Sequence, residues 1–290
     1  MKIGIAFAGG GVRGAAHLGV LQALEEQGIQ ADLYAGTSAG SIIAIMKALG
    51  YSNADCLKVI ESASDKLIDV AYWDIIKSMP SKFKTLDSVL KGEKLKGFLS
   101  EHIGDSLLLH IKHGLGVIST DINTGAQIIF TSETLGKQNL AKIDDNVTAY
   151  GRYTPLPLSH IAYASCALPG IFRPLKYNNM TLVDGSVTNN LPANVLKVMG
   201  ADKVIAIDLS KRNPKTSKTE GIFDIVGQSV SVMIGQNSFL STSQTENVIR
   251  LNPNITGIGL LEFNKTRECY EAGYSYGKKI AKLVKKALES

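Results

Sequence analysis

The feature that most constrains the fold is a short turn, Gly36-Thr37-Ser38-Ala39-Gly40. An apolar run at 33–35 precedes this turn and a helical run at 41–46 follows it, so the turn joins a strand to a helix. A serine lifted clear of both elements needs strained backbone, and glycine two residues to either side avoids a collision. The spacing predicts a nucleophile elbow with Ser38 at its apex. A plain turn with Ser38 as the helix N-cap is the alternative.

A second glycine-rich turn follows the first predicted strand, 3–8. It is the run Gly9-Gly10-Gly11-Val12-Arg13-Gly14, and an apolar-periodic helix from 15 to 27 comes after it. The G-x-G-x-x-G spacing occurs in dinucleotide sites, which need an acidic residue at the end of the second strand, whereas Asp32 precedes that strand. Adjacent glycines leave bare N–H groups that can approach a reacting carbonyl. We therefore favour an oxyanion hole over a dinucleotide site or a simple tight turn.

A nucleophilic serine needs a base, and the usual base is a histidine late in the chain. No histidine lies beyond residue 160 in this sequence. We interpret all five as surface or capping residues: His17, His102, His110, His113 and His160. A triad through Asp87 and His110 stays open as an alternative without local support.

Asp184 is the favoured partner of Ser38. It ends an apolar strand, 181–183, and Gly185 lets the backbone turn away behind it. Sites of parallel sheets form at the carboxyl edge, where this side chain is expected. A carboxylate is a weak base, so it would need a partly desolvated pocket. A turn aspartate bonded to its own backbone is the alternative.

The order of the predicted elements indicates an α/β fold. Strands alternate with helices along most of the 290 residues, and a hairpin is expected between 116–121 and 126–130. This pattern predicts a three-layer α/β/α sandwich with a mainly parallel central sheet. We expect one domain over 1–290, with a core at about 2–209 and a C-terminal helical extension, 210–290, packed on that core.

Composition narrows the class of protein. A hydrophobic fraction of 44% and a charged fraction of 20% are ordinary for a globular domain, and a net charge of +5 is too small to indicate nucleic acid. Three scattered cysteines without a C-x-x-C pair favour free thiols in a reducing compartment. The N-terminus is predicted as a strand and no apolar run approaches membrane-spanning length, so we expect a cytoplasmic protein.

Together, the glycine run, the elbow and Asp184-Gly185-Ser186 resemble the motifs of the patatin-like phospholipase family. The stretches 164–174 and 183–192 support the resemblance, which covers about 2–209. It implies a Ser38–Asp184 dyad without histidine, no metal and no cofactor. The family is expected to cleave acyl esters of lipids through an acyl-enzyme. Ser186 departs from the family pattern, which usually has glycine or alanine there, and brings a hydroxyl close to Asp184.

The resemblance also implies roles for the glycines. The loop of residues 9–14 would form the oxyanion hole, with the N–H groups of Gly10, Gly11 and Val12 as donors. Arg13 would steady this loop or a substrate phosphate, and an ion pair at the rim is the alternative. The elbow and motif glycines are Gly36, Gly40 and Gly185.

The partner is therefore expected to be a lipid or phospholipid, with no nucleic acid. Other readings of the same fold are a non-catalytic lipid-binding or regulatory module, and an acyltransferase or thioesterase. Two basic regions are candidates for contact with an anionic membrane surface. We expect 77–99 to form a lid or lipid-contacting surface, and we interpret the closing helix, 274–288, as packed on the core with a solvated basic face.

Overall fold

A computed structural model describes residues 1–63, 92–210 and 222–290. Nine strands are found there: β1 Ile3–Phe7, β2 Leu33–Thr37, β3 Gly114–Asp121, β4 Ala126–Thr131, β5 Val147–Tyr150, β6 Leu175–Tyr177, β7 Met180–Asp184, β8 Lys203–Ile207 and β9 Val248–Leu251. The expected lid falls mostly, over 77–91, outside the described residues, as does Asp87.

Nine α-helices lie in the same described part of the chain. They are α1 Ala15–Glu25, α2 Ala39–Ala48, α3 Asn53–Ser62, α4 Glu93–Ile103, α5 Lys137–Leu140, α6 Leu158–Cys166, α7 Ala193–Val198, α8 Ile222–Ser243 and α9 Thr266–Glu289. Short 3₁₀ turns follow two of the strand ends, at Gly11–Gly14 and Gly185–Val187.

The strands form one mixed sheet in the order β5-β4-β3-β2-β1-β8-β9. Strands β3, β2, β1, β8 and β9 run parallel, and the predicted hairpin is the antiparallel pair β3–β4. Strand β7 adds to β3 in the antiparallel sense, and β6 pairs with β7. The predicted mainly parallel central sheet with flanking helices is confirmed.

Alternation along the central strands separates two cores. On β1, Ile5 and Phe7 point into the larger core, which also holds apolar residues of α1, α2, α4, α6 and α9. Ala6 and Ala8 point to the opposite face, where the small side chains let α7 pack closely through Val195 and Leu196. Both faces of the sheet are therefore covered, which suits near-continuous apolar strands.

The C-terminal part is more than a helical extension. Residues 248–251, whose sequence predicts a strand, form β9 and pair in parallel with β8. The closing helix α9 begins at Thr266, eight residues before the expected 274, and buries a stripe of mostly small residues against α1. Leu283 of this helix lies off the buried stripe and is 69% exposed. Among the described helices, none combines the length and apolarity required to cross a bilayer.

Candidate active site

The elbow is built at the carboxyl end of β2. Ser38 has φ 54° and ψ −130°, a strained conformation for a residue with a side chain. A Cβ on Gly36 would overlap the backbone of Gly40, and a Cβ on Gly40 would overlap the carbonyl of Phe7, so both positions need glycine. The Ser38 side chain makes no capping hydrogen bond to α2. Ser38 thus occupies the N-cap position of α2 without capping the helix through its side chain, and the hydroxyl is left available.

Strand register brings Asp184 to the same place. Thr37, the last residue of β2, lies opposite Ile118 of β3, and Asp184, the last residue of β7, lies opposite Ser119. Because β4 occupies the other edge of β3, β2 and β7 must share one edge and approach each other end to end. The carboxyl ends of the two strands therefore meet, although 146 positions of sequence separate Ser38 from Asp184.

The two side chains lie close together, and the Ser38 hydroxyl is near enough to the Asp184 carboxyl to lower its pKa. Asp184 is 1% exposed, and its Oδ1 accepts a 2.8 Å hydrogen bond from the Ser186 N–H. Burial raises the pKa of Asp184, and the hydrogen bond from the Ser186 N–H and the nearby Ser38 hydroxyl oppose that rise without cancelling it. The result is a carboxyl group more basic than an exposed aspartate, in spite of the extra hydroxyl of Ser186.

The glycine loop lies against the nucleophile. A Cβ on Gly9 would come within 3.1 Å of the Ser38 Cβ, and one on Gly14 within 3.0 Å of the Ala39 Cβ. Among the residues that the structure describes, neither the Gly10 N–H nor the Gly11 N–H has a hydrogen-bond acceptor. Both groups are therefore available to a negatively charged ligand.

Two other N–H groups of this loop are already used. The Gly9 N–H is 3.1 Å from the Asn190 Oδ1 and 3.3 Å from the Asn190 carbonyl. The Val12 N–H donates to the Leu260 carbonyl at 2.8 Å. The expectation of Val12 as a donor is therefore wrong in this conformation, because a distant carbonyl occupies its N–H.

Arg13 lies beside the same loop. Its Nε donates to the Gly10 carbonyl at 3.3 Å, which ties the turn to the guanidinium. Burial lowers the pKa of Arg13 from its usual value. This placement favours the loop-steadying role over a rim ion pair.

Three residues that contact the site were not predicted from the sequence: Ser165, Asn190 and Leu260. The Ser165 Oγ accepts the Ser38 N–H at 2.9 Å, and Asn190 anchors the loop at Gly9 while its Nδ2 donates to the Ser238 Oγ at 2.8 Å. The doubled asparagine at 189–190 was a usable signal, since an amide both donates and accepts. Leu260 gave none, because its contribution is a backbone carbonyl.

The histidines take no part in this arrangement. None of the five, all within the described residues, hydrogen-bonds to Ser38. The expectation that His17 is a surface or capping residue is wrong: it is fully buried, its Nε2 lies 2.8 Å from the Ala8 carbonyl, and burial lowers its pKa to about 4. The His110 Nδ1 accepts the Leu107 N–H at 3.1 Å.

The surroundings of Asp32 and Cys166 exclude both from the chemistry of the site. Asp32 precedes β2 and its Oδ2 accepts the Ile3 N–H at 2.8 Å, so it lies at the opposite end of β1 from the glycine loop. It cannot serve a dinucleotide there. Cys166 is buried beside Ser38 and Asp184, and burial raises the pKa of its thiol, so it stays protonated at neutral pH.

Comparison with known proteins agrees with the motifs. A family model described as "Patatin-like phospholipase" matches residues 5–197. An uncharacterized NTE family protein of Mycobacterium tuberculosis is 27% identical over 94% of this chain and 45% of its own length. A protein named lysophospholipase NTE1 from Candida glabrata is 24% identical over 95% of this chain and 16% of its own length. This chain thus spans less than half the length of these relatives.

Two other matches complete the comparison. The uncharacterized protein YqhO of Bacillus subtilis is 28% identical, with 75% of each chain covered. Among solved structures, VipD from Legionella pneumophila aligns with a TM-score of 0.49 at 14% identity, over 97% of this chain and 66% of that one.

Proposed function

Because this chain belongs to the patatin-like phospholipase family, as its motifs predicted, we propose that it is a serine acyl hydrolase acting on lipid esters. The observation that carries the proposal is the meeting of the carboxyl ends of β2 and β7, which brings Ser38 close to Asp184 beside two free N–H groups. A nucleophile, a base and an oxyanion cradle are the parts that acyl transfer needs.

In the first half-reaction, Asp184 takes the proton of the Ser38 hydroxyl as the Oγ attacks the ester carbonyl carbon. The carbonyl oxygen becomes an oxyanion, and the N–H groups of Gly10 and Gly11 stabilise it. The carbon–oxygen bond to the alcohol breaks, and Asp184 returns the proton to the leaving oxygen. The acyl group is left esterified to Ser38.

Water completes the cycle in the second half-reaction. Asp184 accepts a proton from a water molecule as the water oxygen attacks the acyl carbonyl carbon, and the N–H groups of Gly10 and Gly11 again hold the oxyanion. The proton then passes from Asp184 to the Ser38 Oγ as the fatty acid leaves. Burial of Asp184 supports this role because its raised pKa brings its basicity closer to that of the groups it must deprotonate.

A phospholipid or lysophospholipid is the proposed substrate class. The name lysophospholipase, carried by a relative 24% identical, supports this choice, as does the family description. Acyl transfer or thioester cleavage would use the same machinery with a different acceptor or leaving group. A non-catalytic lipid-binding module of the same fold would leave Ser38 unreactive.

Labelling and product analysis test the proposal together. A fluorophosphonate probe is expected to modify the wild type at Ser38, located by peptide mass spectrometry, and to leave Ser38→Ala unmodified. Incubation with mixed phospholipids and lysophospholipids should release free fatty acid, identified by mass spectrometry. Labelling without any acyl release would favour a different acyl chemistry, and absence of labelling would favour the non-catalytic module.

A further inference from the structure

Helix α8 buries small residues and exposes bulky apolar ones, the opposite of an ordinary surface helix. Its buried positions carry small residues, Gly235, Ser238 and Thr242. Its exposed positions carry bulky apolar ones, and the exposed fractions run from 38% to 61%: Ile225, Val226, Val230, Met233 and Leu240. A surface helix normally turns its apolar stripe toward the core, so this arrangement needs a separate explanation.

The exposed apolar residues form one stripe. Val226, Met233 and Leu240 are seven residues apart, and Val230 lies between the first two, so their side chains project from one side of the helix. Singly exposed apolar residues are common, but an aligned set of this length marks an interaction surface. We call the five residues the α8 stripe.

The flanks of the stripe carry no formal charge. Residues 225–243 contain no Asp, Glu, Lys, Arg or His, and the polar positions are Ser, Thr, Gln and Asn. A helix of bulky apolar residues with small polar neighbours inserts into loosely packed lipid by burial of apolar area, without attraction to anionic head groups. This chemistry differs from that of α9, whose exposed face is lysine-rich.

The stripe adjoins the proposed active site. The Asn237 Nδ2 donates to the Val187 carbonyl at 3.3 Å, and Val187, three residues after Asp184, is itself 43% exposed and apolar. Ser238 holds Asn190, which holds Gly9 of the glycine loop. A bilayer seated on the stripe would therefore lie next to the segment that carries the base.

We infer that the α8 stripe is a membrane-docking surface that inserts into zwitterionic, loosely packed bilayers independently of charge. The choice of a lipid as occupant rests on the proposed function, since a lipid ester must pass from a bilayer to Ser38. Helix α8 contacts α7 on one face of the sheet, whereas the lysine-rich α9 packs with α1 on the opposite face. Docking through α8 therefore does not require contact between the lysines of α9 and an anionic membrane.

Flotation with phosphatidylcholine vesicles tests the inference in a Ser38→Ala background, where the lipid is not consumed. The parent protein should float with small, highly curved vesicles more than with large ones, and still do so at roughly 1 M salt, where the Debye length is about 3 Å. Met233→Glu and Val226→Glu should each lower the partition coefficient by about tenfold or more.

Leu283→Glu on α9 is the matched control, because that leucine is 69% exposed but lies outside the stripe. It should float like the parent, and all variants should melt at similar temperatures. Three results would each overturn the inference: flotation of Met233→Glu equal to the parent, flotation that needs anionic lipid and disappears in salt, or a dimer that Met233→Glu splits while neither form binds vesicles.

The outcome is independent of turnover. Stripe-dependent flotation of a chain whose Ser38 resists the fluorophosphonate probe would leave the docking surface standing and remove the hydrolase. Probe labelling with fatty-acid release, combined with flotation that does not depend on the α8 stripe, would support the hydrolase and remove the docking surface.

Discussion

The elbow and the glycine loop are two turns of the same kind with different origins. Each follows a parallel strand, β2 or β1, and leads into a helix. In the elbow the steric constraint is mostly internal, since Gly36 and Gly40 face each other across Ser38, with the Phe7 carbonyl against Gly40 as the outside contact. The glycine loop is held by Asn190 and Leu260, which are far away in sequence. The nucleophile is thus fixed mainly by sterics within the turn, and the oxyanion donors by tertiary contacts.

The largest effect should come from the elbow itself. Ser38→Ala removes the nucleophile, and we expect the turnover of a short-chain p-nitrophenyl ester to fall by roughly 10⁴-fold or more. The exposed Ser100→Ala is the control and should keep wild-type activity. Substantial activity in Ser38→Ala, with an unchanged melting temperature, would remove the assignment of the nucleophile.

Asp184→Asn should cost nearly as much activity, roughly 10³-fold, because members of a dyad act as a unit. The same substitution should lower activity but raise the stability of the folded state at neutral pH. Burial raises the pKa of Asp184 in the folded state, so ionisation at neutral pH costs stability that a neutral amide does not.

The melting temperature of Asp184→Asn should therefore exceed that of the wild type at neutral pH. The gain should shrink as the pH falls through the raised pKa of Asp184, where the wild-type carboxyl becomes protonated as well. Thermal melts from neutral pH to about pH 4, near the ordinary pKa of aspartate, measure this difference. If Asp184→Asn instead turned the ester over at nearly the wild-type rate, Asp184 would not be the base and a histidine would have to be considered.

A smaller effect should follow from Asn190→Ala, which attacks the glycine loop from a distance. Loss of the Oδ1 acceptor frees the Gly9 N–H, and we expect kcat to fall by about 10- to 100-fold with a smaller change in KM, since the oxyanion donors act in the transition state. Ser238→Ala leaves the Gly9–Asn190 contact in place and should lower kcat by only a few fold. Equal effects of the two variants would argue against loop positioning.

The smallest effect is expected at Arg13. Arg13→Ala removes one hydrogen bond to the Gly10 carbonyl, and kcat should fall by about threefold, in line with the modest worth of a single such bond. Arg267→Ala, which breaks an exposed ion pair with Glu61, should leave kcat unchanged. A loss of about 100-fold at Arg13 would instead indicate direct contact with the substrate.

Much of the fold could be predicted because apolar runs and glycine turns are local signals. The runs at 3–8, 33–35 and 116–121 appear as β1, β2 and β3 with shifts of one or two residues. The edge strands β5 and β6 were missed, since Val147–Tyr150 and Leu175–Tyr177 are short and only half-buried. The burial of His17 was missed because its partner is the Ala8 carbonyl, a backbone group.

The sequence by itself determined much of the elbow, since the strain at Ser38 and the close approach of Gly36 to Gly40 arise within five residues, whereas the carbonyl that Gly40 accommodates belongs to Phe7 of β1. Only the tertiary structure decided which N–H groups of the glycine loop are free, because Leu260 and Asn190 reach Val12 and Gly9 across long stretches of chain. Tertiary structure also decided that α8 turns its bulky side outward. Which face of a helix is buried depends on the elements that pack against it. In α8 the buried face carries the small residues Gly235 and Ser238, and Ser238 accepts a hydrogen bond from Asn190.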